Sequence, residues 1–204
     1  MVKWIFRILG KSIVWTMGWQ VDQRLKNDFK RCVMIAAPHT SNWDFIICRA
    51  VFEVMGISLR FTIKEEWTKG LLGKLLVSLG AIGIDRNPLG KRSNPLSFVD
   101  AMANLFDKNE ELVMLITPEG SRKKMEHWKT GFYYVAKQAG VPIAFGYMDY
   151  KTKTAGIGKV MWPTDNMEAD MKEIMAFYKN IHPKYPELFS TDIRYNPDPE
   201  SILY

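Results

Sequence analysis

Two cysteines in 204 residues, Cys32 and Cys48, are too few for a disulfide framework. Neither stands near a second thiol or a histidine at zinc-ligand spacing, so a reducing compartment and no structural metal are expected. No uninterrupted apolar run reaches the ~20 residues that a membrane span requires. No small-residue cleavage site follows a compact apolar core, so a signal peptide is not expected. There is no G-x-S-x-G, no internal repeat and no low-complexity tract. Gly and Pro, 14 and 10, are near average usage and exclude collagen-like or linker-dominated architectures. What remains is globular: 47% hydrophobic and 25% charged residues, in a length that suits one domain. A core of this size buries roughly 70% of the unfolded chain's surface without a staple.

The net charge of +6 points to an anionic partner. Seven cations stand against two carboxylates within residues 1–31, so that segment holds +5 of the +6. At about 100° per residue, Lys3, Arg7 and Lys11 fall on one narrow helical stripe. Trp4, Ile8, Trp15 and Trp19 border it, and Val2, Ile5, Phe6, Leu9 and Ile13 complete the helix. A cationic stripe edged by tryptophans predicts a helix lying in a membrane surface over residues 2–19, with Trp4, Trp15 and Trp19 at the acyl boundary. The alternative is an amphipathic helix packed on its own domain. Nucleic-acid binding is not expected, because the charge sits in an apolar helix rather than among exposed aromatics on a platform. A protein peripheral to the inner face of the cell membrane is expected.

From residue 32 short apolar runs alternate with helix-period stretches. Strands are predicted at residues 32–38, 58–63, 81–84, 112–117 and 141–147, with a further edge strand at 156–162. Helices are predicted at 43–55, 65–79, 95–107, 131–138 and 167–181. This alternation predicts an α/β fold with a mostly parallel central sheet and helices on both faces. Three parts follow: residues 1–31 as a membrane-association segment, 32–182 as the α/β domain, and 183–204, with four prolines, as an irregular tail.

In open α/β sheets ligands collect where strands end and helices begin. After the first long strand come Pro38-His39-Thr40-Ser41-Asn42-Trp43-Asp44. A carboxylate at Asp44 can fix the His39 tautomer and leave the other ring nitrogen as a general base. Ser41-x-x-Asp44 is equally a capping-box spacing. Arg86 and Arg122, each just beyond a strand, offer forked donors suited to phosphate, or are simply solvated. Glu119-Gly120 is a turn pair at the same edge.

Taken together, His39-x4-Asp44, Gly80-Ala-Ile-Gly-Ile-Asp-Arg86, Pro118-Glu-Gly-Ser-Arg122 and Val141-Pro142-Ile143 resemble the glycerolipid acyltransferase family, whose best-known members are bacterial 1-acylglycerol-3-phosphate acyltransferases. The resemblance spans roughly residues 35–146. It implies His39 as general base, Asp44 orienting it, Arg86 and Arg122 holding a glycerol phosphate, and Glu119 and Gly120 shaping the substrate site. It implies no cofactor: acyl-CoA or acyl carrier protein is the acyl-donor substrate and a lysophospholipid the acceptor. Lys64-Glu65-Glu66 resembles a lysine-bearing stretch of that family. Phe145 departs from it, standing where a second proline is usual. Another lyso-acceptor, such as a lyso-aminolipid, and a non-catalytic lipid-binding role are the alternative readings.

Overall fold

The computed structural model describes residues 2–84 and 95–196. Among them, seven strands form one sheet in the order β1-β7-β6-β2-β5-β3-β4. They are β1 (Gln20–Asp22), β2 (Arg31–Ala36), β3 (Leu59–Lys64), β4 (Ala81–Ile84), β5 (Leu112–Ile116), β6 (Ile143–Asp149) and β7 (Thr154–Met161). β6 and β7 pair antiparallel, and every other neighbouring pair is parallel. The fold is α/β with a mostly parallel sheet.

Central strand β2 shows why its sequence lacks alternation. Cys32, Val33, Met34 and Ile35 are all fully buried, because both faces of the strand are covered. Successive side chains still point to opposite sides. Cys32 and Met34 join Ile47, Val51 and Phe52 of α2 (Asn42–Met55). Val33 and Ile35 join the core under α4 (Pro95–Asp107), α5 (Gly131–Ala139) and α6 (Met167–Tyr178). The crossovers β2-α2-β3 and β3-α3-β4 advance in the same direction along the sheet, so right-handedness puts α3 (Gly70–Ser78) on the α2 face.

The opening segment is helical as expected. α1 (Val2–Thr16) packs on α2, with Gly10 against Ala50 and Glu53, where an added Cβ would lie 3.0 Å from the Ala50 carbonyl oxygen. The helix stops at Thr16, and Trp19 beyond it is 5% exposed, so it is core and not at an acyl boundary. Its ring meets that of Tyr150 edge-on, with centroids 5.0 Å apart. β1 then pairs with β7, so β7 lies inside the sheet rather than at its edge. A three-residue strand is too short to carry a readable period.

The helix expected over 65–79 is two pieces. A 3₁₀ turn, Glu65–Thr68, precedes α3, and Gly70 at the start of α3 sits at φ +73°, a left-handed conformation that redirects the chain between the two pieces. The tail is irregular apart from the 3₁₀ turn Pro186–Leu188, but through residue 196 it is wrapped on the domain. Phe189 and Asp192 are buried, and Asp192 accepts from the Trp128 amide at 2.9 Å and pairs with Arg194.

Candidate active site

The C-terminal ends of the parallel strands share one edge, and the loop leaving β2 there carries His39. Asp44 sits in the first turn of α2, almost completely buried. Its Oδ2 accepts from the Thr40 and Ser41 amides, both at 2.8 Å, and lies 3.2 Å from His39 Nδ1. Its Oδ1 accepts from the Tyr150 hydroxyl at 2.6 Å. The capping box and the His–Asp pair are therefore one carboxylate serving both purposes. With Nδ1–H donating to Asp44, the hydrogen-bond network assigns Nε2 as the basic nitrogen.

Burial opposes ionisation of Asp44, but the bonds from His39, Tyr150 and the Ser41 and Thr40 amides outweigh it and hold its carboxyl below the usual range. Tyr150 is driven the other way: burial, then its bond to the Asp44 carboxylate, raise its hydroxyl well above an ordinary tyrosine. The hydroxyl stays a donor. Glu119, from the turn after β5, accepts from the His39 amide at 2.9 Å and so fixes the loop's backbone. Buried to 3% exposure, it titrates at about 8, pushed up by desolvation against the pull of the His39 amide.

That shift has a consequence for stability. The unfolded chain releases the Glu119 proton near 4.5, whereas the folded protein keeps it to about 8. The native state therefore binds more protons between those values, and this contribution to stability falls as pH rises through them. Denaturant unfolding from pH 5 to 8 is expected to show that decline in the wild type and a flatter profile in Glu119→Gln. Parallel profiles would show that Glu119 is ionised in the fold.

The amides of His39, Thr40 and Ser41 are all bound to the side-chain oxygens of Glu119 or Asp44, so they are not donors for a developing oxyanion. A cavity of about 700 Å³ opens beside His39 and Asp44. It reaches both faces of the sheet at the strand ends: Phe45, Val51 and Phe52 line it on one side, Met102, Phe132 and Val135 on the other. Cys48 also lines it, but burial pushes that thiol up to about 12, which leaves it no nucleophile at neutral pH.

Of the residues singled out from sequence, His39, Asp44, Glu119 and Gly120 converge here. Arg122 is exposed and lies off the cavity wall. Arg86 lies outside the described residues. Two residues at the site were missed. Lys129 lines the cavity against Gly120, where an added Cβ would stand 2.7 Å from its Nζ; Gly120 itself adopts φ +65°. Tyr150 reaches Asp44 across 106 positions of sequence. No local pattern marks either one.

A family model described as "Acyltransferase" matches residues 20–144, which include the His39 loop, Asp44 and the Glu119 turn. The chain belongs to the acyltransferase family. Among solved structures it is similar to the 1-acyl-sn-glycerophosphate (LPA) acyltransferase PlsC from Thermotoga maritima, with a TM-score of 0.57 and 16% identity. That likeness covers 87% of this chain and 76% of the other, and is one of fold. No curated protein matches the chain at a significant level.

Proposed function

We propose that this acyltransferase moves a fatty acyl group from acyl-CoA or acyl carrier protein to the free hydroxyl of a lysophospholipid, with 1-acylglycerol-3-phosphate giving phosphatidic acid as the reading the site favours. The observation that carries it is a His–Asp pair at the mouth of an apolar cavity large enough for a hydrocarbon chain. His39 Nε2 takes the hydroxyl proton as that oxygen attacks the thioester carbon. Asp44 stabilises the imidazolium. The C–S bond then breaks, and the thiolate leaves with the proton His39 had accepted. Lys129 and Arg122, with Arg86, hold the acceptor's phosphate so the hydroxyl is in line. Supplying a panel of lysophospholipids with each thioester donor, and reading thiol release and products by mass spectrometry, tests the reaction. Absence of product with every pair would defeat it.

Tyr150 acts here as a positioning residue. Its bond withdraws charge from Asp44, and its ring, braced by Trp19, fixes where the carboxylate points. Tyr150→Phe keeps the ring and removes the bond. Loss of about 10-fold in kcat with KM nearly unchanged is expected, because a carboxylate free to turn holds the imidazole less well in line, which outweighs its greater charge. Asp44, faced by His39 and Tyr150 with Glu119 nearby, then becomes a stronger partner for the imidazolium. The acid limb of the kcat profile should move to higher pH. An unmoved limb would leave Tyr150 with a packing role alone.

The acceptor lies in a bilayer, and α1 suits contact with it. Trp4, Ile8 and Trp15 share one exposed stripe of the helix, away from buried Gly10 and Val14, and Arg7 and Lys11 are exposed between the two. This helix serves as a peripheral membrane contact while its other face packs on α2. No helix among the described residues is long and apolar enough to cross a membrane.

A further inference from the structure

Sixteen large apolar side chains are exposed among the described residues, and twelve of them fall between Trp4 and Val77. α1 accounts for four. The densest group is elsewhere: Leu71 at 88%, Leu72 at 68% and Leu75 at 53% on α3, with Trp67 at 62% in the 3₁₀ turn before it. α3 buries only Gly73. A nine-residue helix that turns its leucines outward has no account in the folding of its own domain, where such side chains normally face the core.

Resting on the reading that the acceptor is a bilayer lipid, we infer that the 3₁₀ turn and α3 form a second lipid-surface contact, separate from α1, which seats the cavity mouth on the membrane. Leu71 and Leu75 are one helical turn apart, with Leu72 on one flank and Lys74 on the other. Lys64, Lys69 and Lys74 are exposed and pair with no carboxylate among the described residues, so their stems can lie along apolar surface while the ammonium groups meet headgroups. Trp67 supplies the ring that favours the interface. Glu65 and Glu66 offset two of these three cations, which makes the contact chiefly apolar.

Position supports the same occupant. β3 ends at Lys64, directly before the turn, and its Phe61 and Thr62 line the cavity. Phe45, partly exposed at the start of α2, packs edge-on against Phe61 at 5.4 Å and also lines the cavity. The strand that lines the cavity thus leads directly into the turn before α3, so a bilayer met by α3 lies close to the apolar wall that a lipid chain would enter.

The test is co-sedimentation of the full chain with vesicles of phosphatidylglycerol and phosphatidylcholine. L71E/L72E changes two side chains that make no core contact, so folding should be retained. Its partition constant should fall at least ~10-fold, as expected from losing two inserted leucines. Because α3 binds chiefly through apolar contact, that ratio should persist at high salt, which screens the charge on α1. Turnover of a short-chain, soluble acceptor should stay within about twofold of wild type, since neither leucine touches the site. Vesicle binding equal to wild type would overturn the inference. So would a wild-type dimer without lipid that the double variant converts to monomer, since a second copy would then cover this face. Wild-type protein inactive toward every lyso-acceptor would defeat the acyl-transfer reading, while a loss of sedimentation in the double variant would still uphold the lipid contact.

Discussion

His39→Ala is expected to fold normally and to lose at least ~10²-fold in turnover, the scale of a general base removed from its reaction. Folding should survive because the imidazole is a quarter exposed and, among the described residues, bonds Asp44 alone. Asp44 keeps the Thr40 and Ser41 amides and the Tyr150 hydroxyl, so no buried acceptor is orphaned. Asp44→Asn separates cap from charge. Its amide oxygen can keep the two loop amides while its nitrogen donates to the Tyr150 oxygen. What it loses is the negative charge that stabilises the imidazolium. A charge-assisted bond is roughly twice as strong as a neutral one, so a loss of about 10-fold or more is expected, smaller than for His39→Ala. Single-turnover measurement of thiol release checks both. Turnover of His39→Ala within a factor of about three of wild type would sink the mechanism.

How much of this was legible in the residues divides by distance along the chain. His39 and Asp44 are five apart, and a strand end followed by a helix start brings them together without help from the rest of the fold. The capping box and the His–Asp pair read as rivals because spacing alone cannot show one oxygen serving three donors. Glu119 could be placed at the site edge from its position after a strand. Its bond to the His39 amide depends on β2 and β5 being neighbours, which local periodicity does not reveal. Tyr150 is more remote still: it requires the β6–β7 turn to fold back towards α2. Trp19 misled for a related reason. On a helical wheel it extends the tryptophan stripe, but the helix ends three residues earlier and the chain turns inward to start β1. The exposed leucines of α3 have a helical period that reads as a buried face, and only the packed fold shows that they point outward.

Lys129→Ala and Arg122→Ala are expected to raise KM for a phosphorylated acceptor about 10-fold or more each, which corresponds to one charge-assisted contact to phosphate. Lys129 should matter at the cavity wall, where it lies against Gly120 beside the His39 pocket. Arg122, exposed two residues beyond Gly120, is expected to meet the phosphate from outside the wall. Arg86, beyond the described residues, is expected to act with them. The two lysine and arginine positions should respond differently to conservative change. Lys129→Arg keeps a charge at the wall but adds bulk against Gly120, whereas Arg122→Lys loses the forked geometry that grips two phosphate oxygens, so rescue there should be partial. The acyl-donor KM should stay nearly constant in every variant. A short-chain acceptor keeps membrane binding out of the measurement, so that α1 and α3 cannot contribute to the difference. Both coenzyme A and the acceptor carry phosphate, and the split between the two KM values tells them apart. If KM for acyl-CoA rises and that for the acceptor does not, these cations face the donor, and the acceptor must approach His39 from the opposite side of the cavity.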